Sequence, residues 1–297
     1  MAQRKSNRVD ARRVLLVVLL LGLVLLGAWW LWQHRPARTA APTTGPASGQ
    51  VRLATWNLRQ FSTNRPMDMR MICRIIQQGA FDLVALQEIK GEAEIVDRLL
   101  VALEAPWRST SISPRTGNSE RFAFIYRGDR LSELGKAHFV TQPSAQSFAR
   151  QPYQTSFRSG AFDFTLISVH LSYEDRPRRR AEMAALARLA ADLAGSSQEK
   201  DVIVLGDFNE ERVRPNLHYF ESQGWTALIR QPTNLKSREV FDNLLIDPRF
   251  TREFTGQVGV LNFDETFYNN DDQAAMRQVS DHRPAWAAFS TVGPDDD

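Results

Sequence analysis

Cysteine is nearly absent from this chain: Cys73 is the only one among 297 residues. One cysteine excludes an internal disulfide, so the chain can fold in an oxidising compartment but gains no cross-link there. The sequence also lacks a Cys/His cluster, which excludes a structural zinc site of the usual kind. With 43% hydrophobic residues the chain can bury a sizeable core without cross-links. Cys73 stands among apolar residues and is expected to lie inside that core.

Excess charge of either sign is also small. Charged residues make up 24% of the chain, and the formal net charge is only +3. A basic bias of this size is compatible with a polyanionic partner but does not indicate one by itself. The length allows one large domain or two small ones. Composition therefore leaves the function open.

The N-terminal region carries a long hydrophobic run. Residues 14–32 contain no charged side chain. As an α-helix, which rises about 1.5 Å per residue, the run would span roughly the hydrocarbon core of one bilayer. Basic residues precede the run and three tryptophans close it, which predicts a single-pass transmembrane anchor with residues 1–13 in the cytoplasm. A cleaved signal peptide is the alternative, since Ala40 and Ala41 offer small residues near a possible cut.

Residues 33–50 are rich in Pro, Ala, Thr, Ser and Gly and are predicted to be a flexible linker. In residues 51–297 short apolar runs alternate with helical patterns, which predicts an α/β (α+β) domain. Its expected architecture is a four-layer sandwich of two packed mixed β-sheets flanked by helices. The predicted strands are Val51–Leu58, Phe81–Ile89, Phe122–Tyr126, Thr155–Phe157, Phe162–Val169, Asp201–Leu205, Phe241–Ile246 and Ala285–Phe289. The predicted helices are Met67–Gln78, Glu92–Leu103 and Arg178–Leu193, the last stopped by Gly195.

Polar side chains stand beside the apolar runs, where the predicted strands start or stop. Residues at one edge of a sheet can converge in one cleft, where chemistry is usually found. The carboxylates and carboxamides among them suit Mg²⁺, Mn²⁺ or Ca²⁺ rather than zinc. Two histidines could serve as general acid and base near neutral pH. The residues are Asn57, Glu88, His170, Asp207, Asn209, Asp242, Asp281 and His282.

The motifs TWN, LQE, SVHL, GDFN and SDH follow one another in this order. Together they resemble the endonuclease/exonuclease/phosphatase superfamily over roughly residues 51–290. The segments TWNLRQF, SERFAFIYR, FARQP and FDNLLI are similar to its deoxyribonuclease I-like branch, and His170 favours that branch over the abasic-site endonucleases. The resemblance implies that residues 51–297 form a divalent-metal-dependent phosphodiesterase domain that hydrolyses DNA. The anchor would hold this domain on the extracytoplasmic side of a membrane, in the periplasm if the source is bacterial.

The resemblance also implies roles for the site residues. His170 and His282 would be the general acid and base, in an order that the sequence leaves open. Glu120 would orient His170, and Asp242 would orient His282. The ion would be Mg²⁺ or Mn²⁺, with Ca²⁺ also possible. The implied metal ligands are Glu88, Asn57 and Asp281. Asp207 and Asn209 would lie at the scissile phosphate. The residues that would bind phosphate are Arg150, Arg59 and Asn209, with Lys90 at the rim of the site.

Some features leave the substrate open. Asn118 stands where the resembled branch is expected to carry a tyrosine for the minor groove, which weakens the expectation of double-stranded DNA binding. RNA and phospholipid are alternative substrates. A sphingomyelinase-like enzyme would add an exposed aromatic hairpin, for which WTALI is a weak candidate. A catalytically silent nucleic-acid-binding module is the alternative from another class. The arginine-rich segment 176–180 could border a polyanion groove or form a solvated helix start, and the oligomeric state is not predicted.

Overall fold

The structure is a computed structural model. It describes residues 47–142, 147–196, 199–210 and 216–293. The predicted cytoplasmic segment 1–13 and the predicted anchor 14–32 lie outside the described residues, as does most of the predicted linker 33–50. Within the described part of the chain, no helix is both long enough and apolar enough to cross a bilayer.

Twelve strands and six helices make up the described fold. The strands are β1 Gln50–Phe61, β2 Leu83–Ile89, β3 Trp107–Ser109, β4 Arg121–Arg127, β5 Ser132–Phe139, β6 Tyr153–Ser159, β7 Phe162–His170, β8 Val202–Asp207, β9 Thr226–Ala227, β10 Asp242–Ile246, β11 Phe254–Val260 and β12 Ala285–Ser290. The helices are α1 Met69–Gly79, α2 Ala93–Leu103, α3 Arg176–Ser196, α4 His218–Glu221, α5 Phe263–Tyr268 and α6 Asp272–Gln278.

The strands form two six-stranded mixed sheets. The first has the order β11–β12–β1–β2–β4–β3, and the second has the order β5–β6–β7–β8–β10–β9. Each sheet has one parallel pair at its centre, β1 with β2 and β7 with β8, and antiparallel neighbours beyond it. Because parallel neighbours end at the same edge of a sheet, the last residues of each pair lie side by side.

Three hydrophobic clusters separate the layers. Phe124 of β4 and Phe164 of β7 belong to the cluster between the sheets. Ile75 of α1 packs on the outer face of the first sheet, and Leu186 of α3 packs on the outer face of the second. All four are fully buried, and burial of such a side chain contributes roughly 1.5–3 kcal/mol. The predicted architecture of two packed mixed sheets with flanking helices is therefore confirmed.

The structure departs from the predicted pattern mainly at exposed elements. The sequence does not predict β5 and β11, because most of their residues are exposed or half-buried and the apolar alternation that marks a strand is missing. α3 continues one residue beyond Gly195, where a stop is predicted, since a glycine inside a helix costs only about 1 kcal/mol. β1 starts at Gln50 and runs on to Phe61. Cys73 is buried, as predicted.

Candidate active site

Asp207, at the end of β8, lies at the centre of a cluster of polar side chains. Its Oδ2 atom accepts a hydrogen bond of 2.9 Å from Asn57 Nδ2. The same atom lies 3.5 Å from His170 Nε2 and 3.7 Å from His282 Nε2. Asp207 is only 1% exposed. Residues far apart in the sequence thus meet around one carboxylate oxygen.

Gly206 lets β8 approach β7 closely at this point. Its φ of 141° lies in the region that favours glycine, and a Cβ there would lie 2.1 Å from the Val169 carbonyl oxygen. His170 and Asp207 are therefore register partners at the ends of adjacent parallel strands. Asn209 closes the next turn: its backbone N–H donates to Asp207 Oδ1 over 2.9 Å. Its side-chain amide donates over 2.9 Å to the carbonyl of the residue after His170.

His170 is paired with Glu120. His170 Nδ1 lies 2.7 Å from Glu120 Oε2, and the Glu120 side chain is 2% exposed. Two further cations approach this carboxylate, Arg150 Nε at 2.8 Å and Lys90 Nζ at 3.5 Å. Burial opposes the charge on Glu120, but the hydrogen bond with His170 and the three nearby positive groups outweigh it. They lower the pKa of Glu120 to about 2.

The same surroundings favour the charged form of His170. Burial opposes that form, but the negative charges of Asp207 and Glu120 raise the pKa of His170 above its ordinary value. Arg150 also donates to the carbonyl oxygens of His170 and Leu171, each over 3.3 Å. It therefore holds both members of the pair in place.

His282 is paired with Asp242. His282 Nδ1 lies 2.7 Å from Asp242 Oδ2, and Asp242 is fully buried. Among the described residues, no lysine or arginine forms an ion pair with Asp242. Burial raises the pKa of Asp242 against the attraction of His282. Burial also opposes the charge on His282, but Asp242 and Asp207 outweigh it and raise the pKa of His282 to about 10.

Asn234 contacts the other ring nitrogen of His282, a contact that the sequence does not indicate. Asn234 Nδ2 lies 3.1 Å from His282 Nε2. Its Oδ1 accepts hydrogen bonds from the backbone N–H groups of Lys236 (3.0 Å) and Ser237 (2.9 Å), which points the NH₂ group at the imidazole. A donor at Nε2 needs a lone pair there, so Asn234 stabilises the neutral ring that carries its proton on Nδ1. No apolar run precedes Asn234, and the strand-end pattern therefore misses it.

Asn57 and Glu88 lie toward the ends of the central parallel strands of the first sheet, where the register of the pair shifts. Asn57 Nδ2 donates to Glu88 Oε1 over 2.9 Å, and Asn57 Oδ1 accepts from the backbone N–H of Arg59 over 2.8 Å. Glu88 has a φ of 58°, and its Oε2 accepts from the backbone N–H of Gln60 over 3.0 Å. A non-glycine residue in this conformation is uncommon and often marks a functional site. Glu88 Oε1 lies 4.0 Å from His170 Nε2.

Glu88 is the carboxylate best placed to bind a cation. Its side chain is 20% exposed, whereas Glu120 and Asp242 are buried and each holds a histidine at 2.7 Å. One ligand atom of Glu88 lies within 4.8 Å of ligand atoms of Glu120 and His170. Hard oxygen donors of this kind fit a cation of the Mg²⁺ type. Asn57 donates through its amide nitrogen to Glu88 Oε1 and thereby orients that carboxylate.

Asp281 and Arg59 lie at the margin of the site. Arg59 Nε is 3.8 Å from Asp281 Oδ2, and Arg59 also donates to the Met276 carbonyl oxygen over 3.1 Å. Asp281 lines the cavity, and its charge adds to those that raise the pKa of His282. Arg59, which the resemblance implies as a phosphate ligand, is not part of the cavity lining.

One cavity of about 1020 Å³ opens onto both histidines. Ordinary small-ligand pockets measure about 300–1,000 Å³, so this cavity suits a large substrate. The sequence-predicted residues in its lining are Glu88, Lys90, Glu120, Arg150, His170, Asp207, Asn209, Asp281 and His282. Asn57 and Asp242 are fully buried behind them. Tyr173, Lys236 and Ser237 also line the cavity, although the sequence does not single them out.

The arginine-rich segment 176–180 divides between the cavity and the interior. Arg178 lines the cavity, and its side chain is 48% exposed. Arg179 is turned inward, with 4% exposure, and its Nε lies 3.4 Å from Glu210 Oε1. The segment is therefore neither a uniform groove wall nor a uniformly solvated helix start.

The Endonuclease/Exonuclease/phosphatase family matches residues 54–282 of this chain. Both histidine pairs, Glu88 and the GDFN turn fall within that span. The chain belongs to this family. Its members are hydrolases that act on phosphoester bonds and depend on a divalent metal, which agrees with the oxygen-rich cluster around Glu88.

The proteins similar to this chain include deoxyribonucleases. It is 30% identical to a deoxyribonuclease of Thioalkalivibrio sp. (strain K90mix), over 82% of this chain and 72% of the relative. It is 26% identical to deoxyribonuclease-1 of Oryctolagus cuniculus, over 63% of this chain and 68% of the relative. The chain therefore lies in the deoxyribonuclease I-like branch, as predicted.

A solved structure with the same fold is that of D. rerio TDP2 complexed with a single-strand DNA product. The TM-score is 0.59 at 15% identity, and the match covers 81% of this chain and 99% of that one. At this identity the likeness concerns the fold alone.

Proposed function

We propose that this family member is an endonuclease that hydrolyses DNA phosphodiester bonds with Mg²⁺ or Mn²⁺. The observation that carries the proposal is the position of Asp207 within 3.7 Å of both His170 and His282, at the wall of one open cavity. Hydrolysis of a phosphodiester needs one group to activate water and another to protonate the leaving oxygen. Two imidazoles beside one phosphate site can supply both. The similarity to deoxyribonucleases supports DNA as the substrate.

We assign His282 as the general base and His170 as the general acid. Asn234 stabilises a lone pair on His282 Nε2, the form that accepts a proton from water. The carboxylates that raise the pKa of His282 to about 10 make its neutral ring a strong proton acceptor, and that ring forms as the pH rises toward this value. The surroundings of His170 stabilise its imidazolium, which can give its Nε2 proton to the leaving oxygen.

Glu88 would hold the divalent ion, with Asn57 orienting its carboxylate. When bound, the ion neutralises a non-bridging phosphate oxygen and stabilises the charge that grows in the transition state. Arg150 contacts Glu120 through Nε and backbone carbonyls through Nη1. Among the described residues this leaves its Nη2 for a substrate phosphate.

The phospholipid alternative has less support. Trp225, the aromatic residue of the WTALI segment, is 3% exposed and packs edge-on against Phe220, with 5.5 Å between the ring centroids. The next two residues form β9. A buried tryptophan does not insert into lipid, so WTALI lacks the exposed hairpin that a sphingomyelinase-like enzyme is expected to carry. The intact arrangement of His170 and His282 likewise disfavours a silent binding module.

Hydrolysis assays on three substrates test the proposed function. The purified full-length chain is incubated with plasmid DNA, RNA and a choline phospholipid, each with Mg²⁺ and with EDTA. We expect nicking of the plasmid that stops when the metal is chelated. Head-group release without nicking would favour the phospholipid enzyme, and binding without turnover would favour the silent module.

We further propose that residues 14–32 anchor the enzyme in a membrane with its catalytic domain outside the cytoplasm. The support is the length of the uncharged run and the basic residues that precede it. Extraction of cell membranes with carbonate should leave the full-length chain in the pellet, and protease added to the extracytoplasmic side should digest the domain. Release into the soluble fraction as a shortened chain would indicate a cleaved signal peptide instead.

A further inference from the structure

Tyr173 exposes an aromatic ring at the cavity. It lines the cavity and is 58% exposed; no other aromatic residue of the described chain is among the exposed large hydrophobic residues. An aromatic ring buries about 150–250 Å² when it packs fully, so most such rings are found inside. An open ring beside the catalytic groups is therefore available to a substrate.

Buried polar groups hold the backbone of Tyr173 in place. Arg179 donates to the carbonyl oxygens of Ser172 (3.0 Å) and Tyr173 (2.5 Å). Glu182, which is 1% exposed, accepts from the backbone N–H of Ser172 (2.8 Å) and from its hydroxyl (3.1 Å). Glu182 also accepts from the backbone N–H of Ala149 over 2.7 Å. Because the loop is fixed before any substrate arrives, binding to the ring costs little ordering of the protein.

The ring of Tyr173 is connected to the catalytic histidine through one other aromatic side chain. The centroids of Tyr173 and Phe241 are 5.9 Å apart at an interplanar angle of 70°. Phe241 and His282 are also 5.9 Å apart, at 37°. A strand whose phosphate lies beside His282 would therefore bring a neighbouring nucleotide to Tyr173.

The charges next to Tyr173 favour a base rather than a phosphate at this position. Glu174 and Asp175 directly follow it and also line the cavity. Their carboxylates repel a phosphate backbone, whereas the π-face of a neutral base can stack on the ring. Arg178 and Lys236 line the same cavity and can attract the phosphates of the strand.

We propose that Tyr173 is a stacking platform for an unpaired base next to the scissile phosphate, so that the enzyme prefers single-stranded to fully paired DNA. This inference rests on the proposed nuclease function. In a duplex the faces of each base are covered by its neighbours, whereas a single strand can offer a face to an aromatic side chain. A second strand would also bring more phosphates toward Glu174 and Asp175.

Steady-state kinetics on single-stranded oligonucleotides test the inference. The full-length chain is compared with Tyr173→Ala, Tyr173→Phe and Val101→Ala; Val101 is 79% exposed and lies outside the cavity lining. Stacking on one base is worth about 1–3 kcal/mol, so Tyr173→Ala should raise KM by about 5- to 150-fold, while Tyr173→Phe retains the ring and the wild-type KM. Val101→Ala should behave as wild type.

Oligonucleotides with one abasic residue at successive positions around the cut identify the stacked base. At one position the missing base should raise KM for wild type and Tyr173→Phe, with no further rise for Tyr173→Ala. If wild type cleaves DNA in a chelator-sensitive manner but Tyr173→Ala shows the same KM and the same abasic penalty, the stacking inference is wrong and the proposed function stands. If wild type cleaves no nucleic acid at all, both are wrong.

Discussion

The two His–carboxylate pairs of the site, His170 with Glu120 and His282 with Asp242, share a distance of 2.7 Å between the bonded atoms. The pKa values of the two carboxylates shift in opposite directions. The hydrogen bond with His170 and the positive charges of His170, Arg150 and Lys90 outweigh burial and lower the pKa of Glu120 to about 2. Asp242 has no such cation among the described residues, and burial raises its pKa. Equal hydrogen-bond geometry therefore does not imply equal chemistry.

The difference extends to the ring nitrogens that face the substrate. His282 Nε2 meets the NH₂ group of Asn234, which favours the neutral imidazole. Asp207 lies near both Nε2 atoms and favours the imidazolium of each ring, whereas Glu88 lies 4.0 Å from His170 Nε2 and adds a second carboxylate there. The contrast teaches that the division into acid and base comes from the neighbours of each pair, not from the pair itself.

Among the substitutions considered, removal of either histidine should lower the rate of hydrolysis the most. General acid or base catalysis contributes about 10²–10⁴-fold, so His170→Ala and His282→Ala should each lower the single-turnover rate by that factor. Circular dichroism should show that both variants remain folded. A near-normal rate in either variant would overturn the assignment of that histidine and break the comparison.

The metal requirement should depend on the His170 side of the site. Glu88 Oε1 lies 4.0 Å from His170 Nε2, and we expect Glu88→Gln to raise the Mg²⁺ concentration for half-maximal rate by about 10- to 100-fold, because a neutral carboxamide lacks the charge that attracts the cation. Asp281→Asn is the matched control and should have a smaller effect, since Arg59 lies 3.8 Å from its carboxylate. An equal or larger effect in Asp281→Asn would place the ion nearer Asp281.

The two carboxylates should also differ in their contribution to stability. Glu120→Gln leaves Arg150 and Lys90 without their anion, whereas after Asp242→Asn the buried His282 can simply lose its proton. Hydrogen bonds to charged groups contribute about 1.5–3 kcal/mol, so Glu120→Gln should cost up to that much more than Asp242→Asn. Urea unfolding of both variants measures the difference, and equal losses would contradict it.

The pH dependence of stability should separate the pairs further. The pKa of Glu120 is lowered from 4.5 to about 2, so its stabilisation is complete above pH 4.5 and is lost as the pH falls through about 2. The pKa of His282 is raised from 6.5 to about 10, so its stabilisation is complete below pH 6.5 and is lost as the pH rises through about 10. Urea unfolding measured across pH should show that Glu120→Gln weakens the pH dependence of the free energy of unfolding at acid pH, and that Asp242→Asn weakens it at alkaline pH. The opposite result for the two variants would contradict these charge states.

Removal of the Asn234 amide should change the rate of hydrolysis the least. Asn234→Ala takes away the group that stabilises neutral His282, so the basic form should be reached only at higher pH. We expect the rising limb of the pH–rate profile to move to higher pH, with less than about a tenfold loss at neutral pH, since one hydrogen bond contributes about 1 kcal/mol. An unshifted limb would indicate that Asn234 does not control His282.

The site residues were predictable to the extent that a pattern in the chain marks them. Asn57 and Glu88 close apolar runs in one sheet, and His170 and Asp207 close apolar runs in the other. Because parallel strands end at a common edge, the sequence predicts each pair, but only the packing of the two sheets brings the pairs together. Asn234 and Tyr173 stand in loops without such a run. Only folding places them against His282 and the cavity, and no local spacing records that contact.

The sequence by itself determined the family, the order of the central strands' polar ends and the pairing of each histidine with its carboxylate. The family and the histidine–carboxylate pairs follow from the resemblance that the short motifs carry, and the strand ends follow from strand periodicity; both signals are local properties of the chain. Only the tertiary structure decided that Glu120 lies beside Arg150 and Lys90, while Asp242 is fully buried and forms no ion pair with a lysine or arginine of the described residues. Charges that act through space depend on distance and burial, and neither quantity is written in the order of residues.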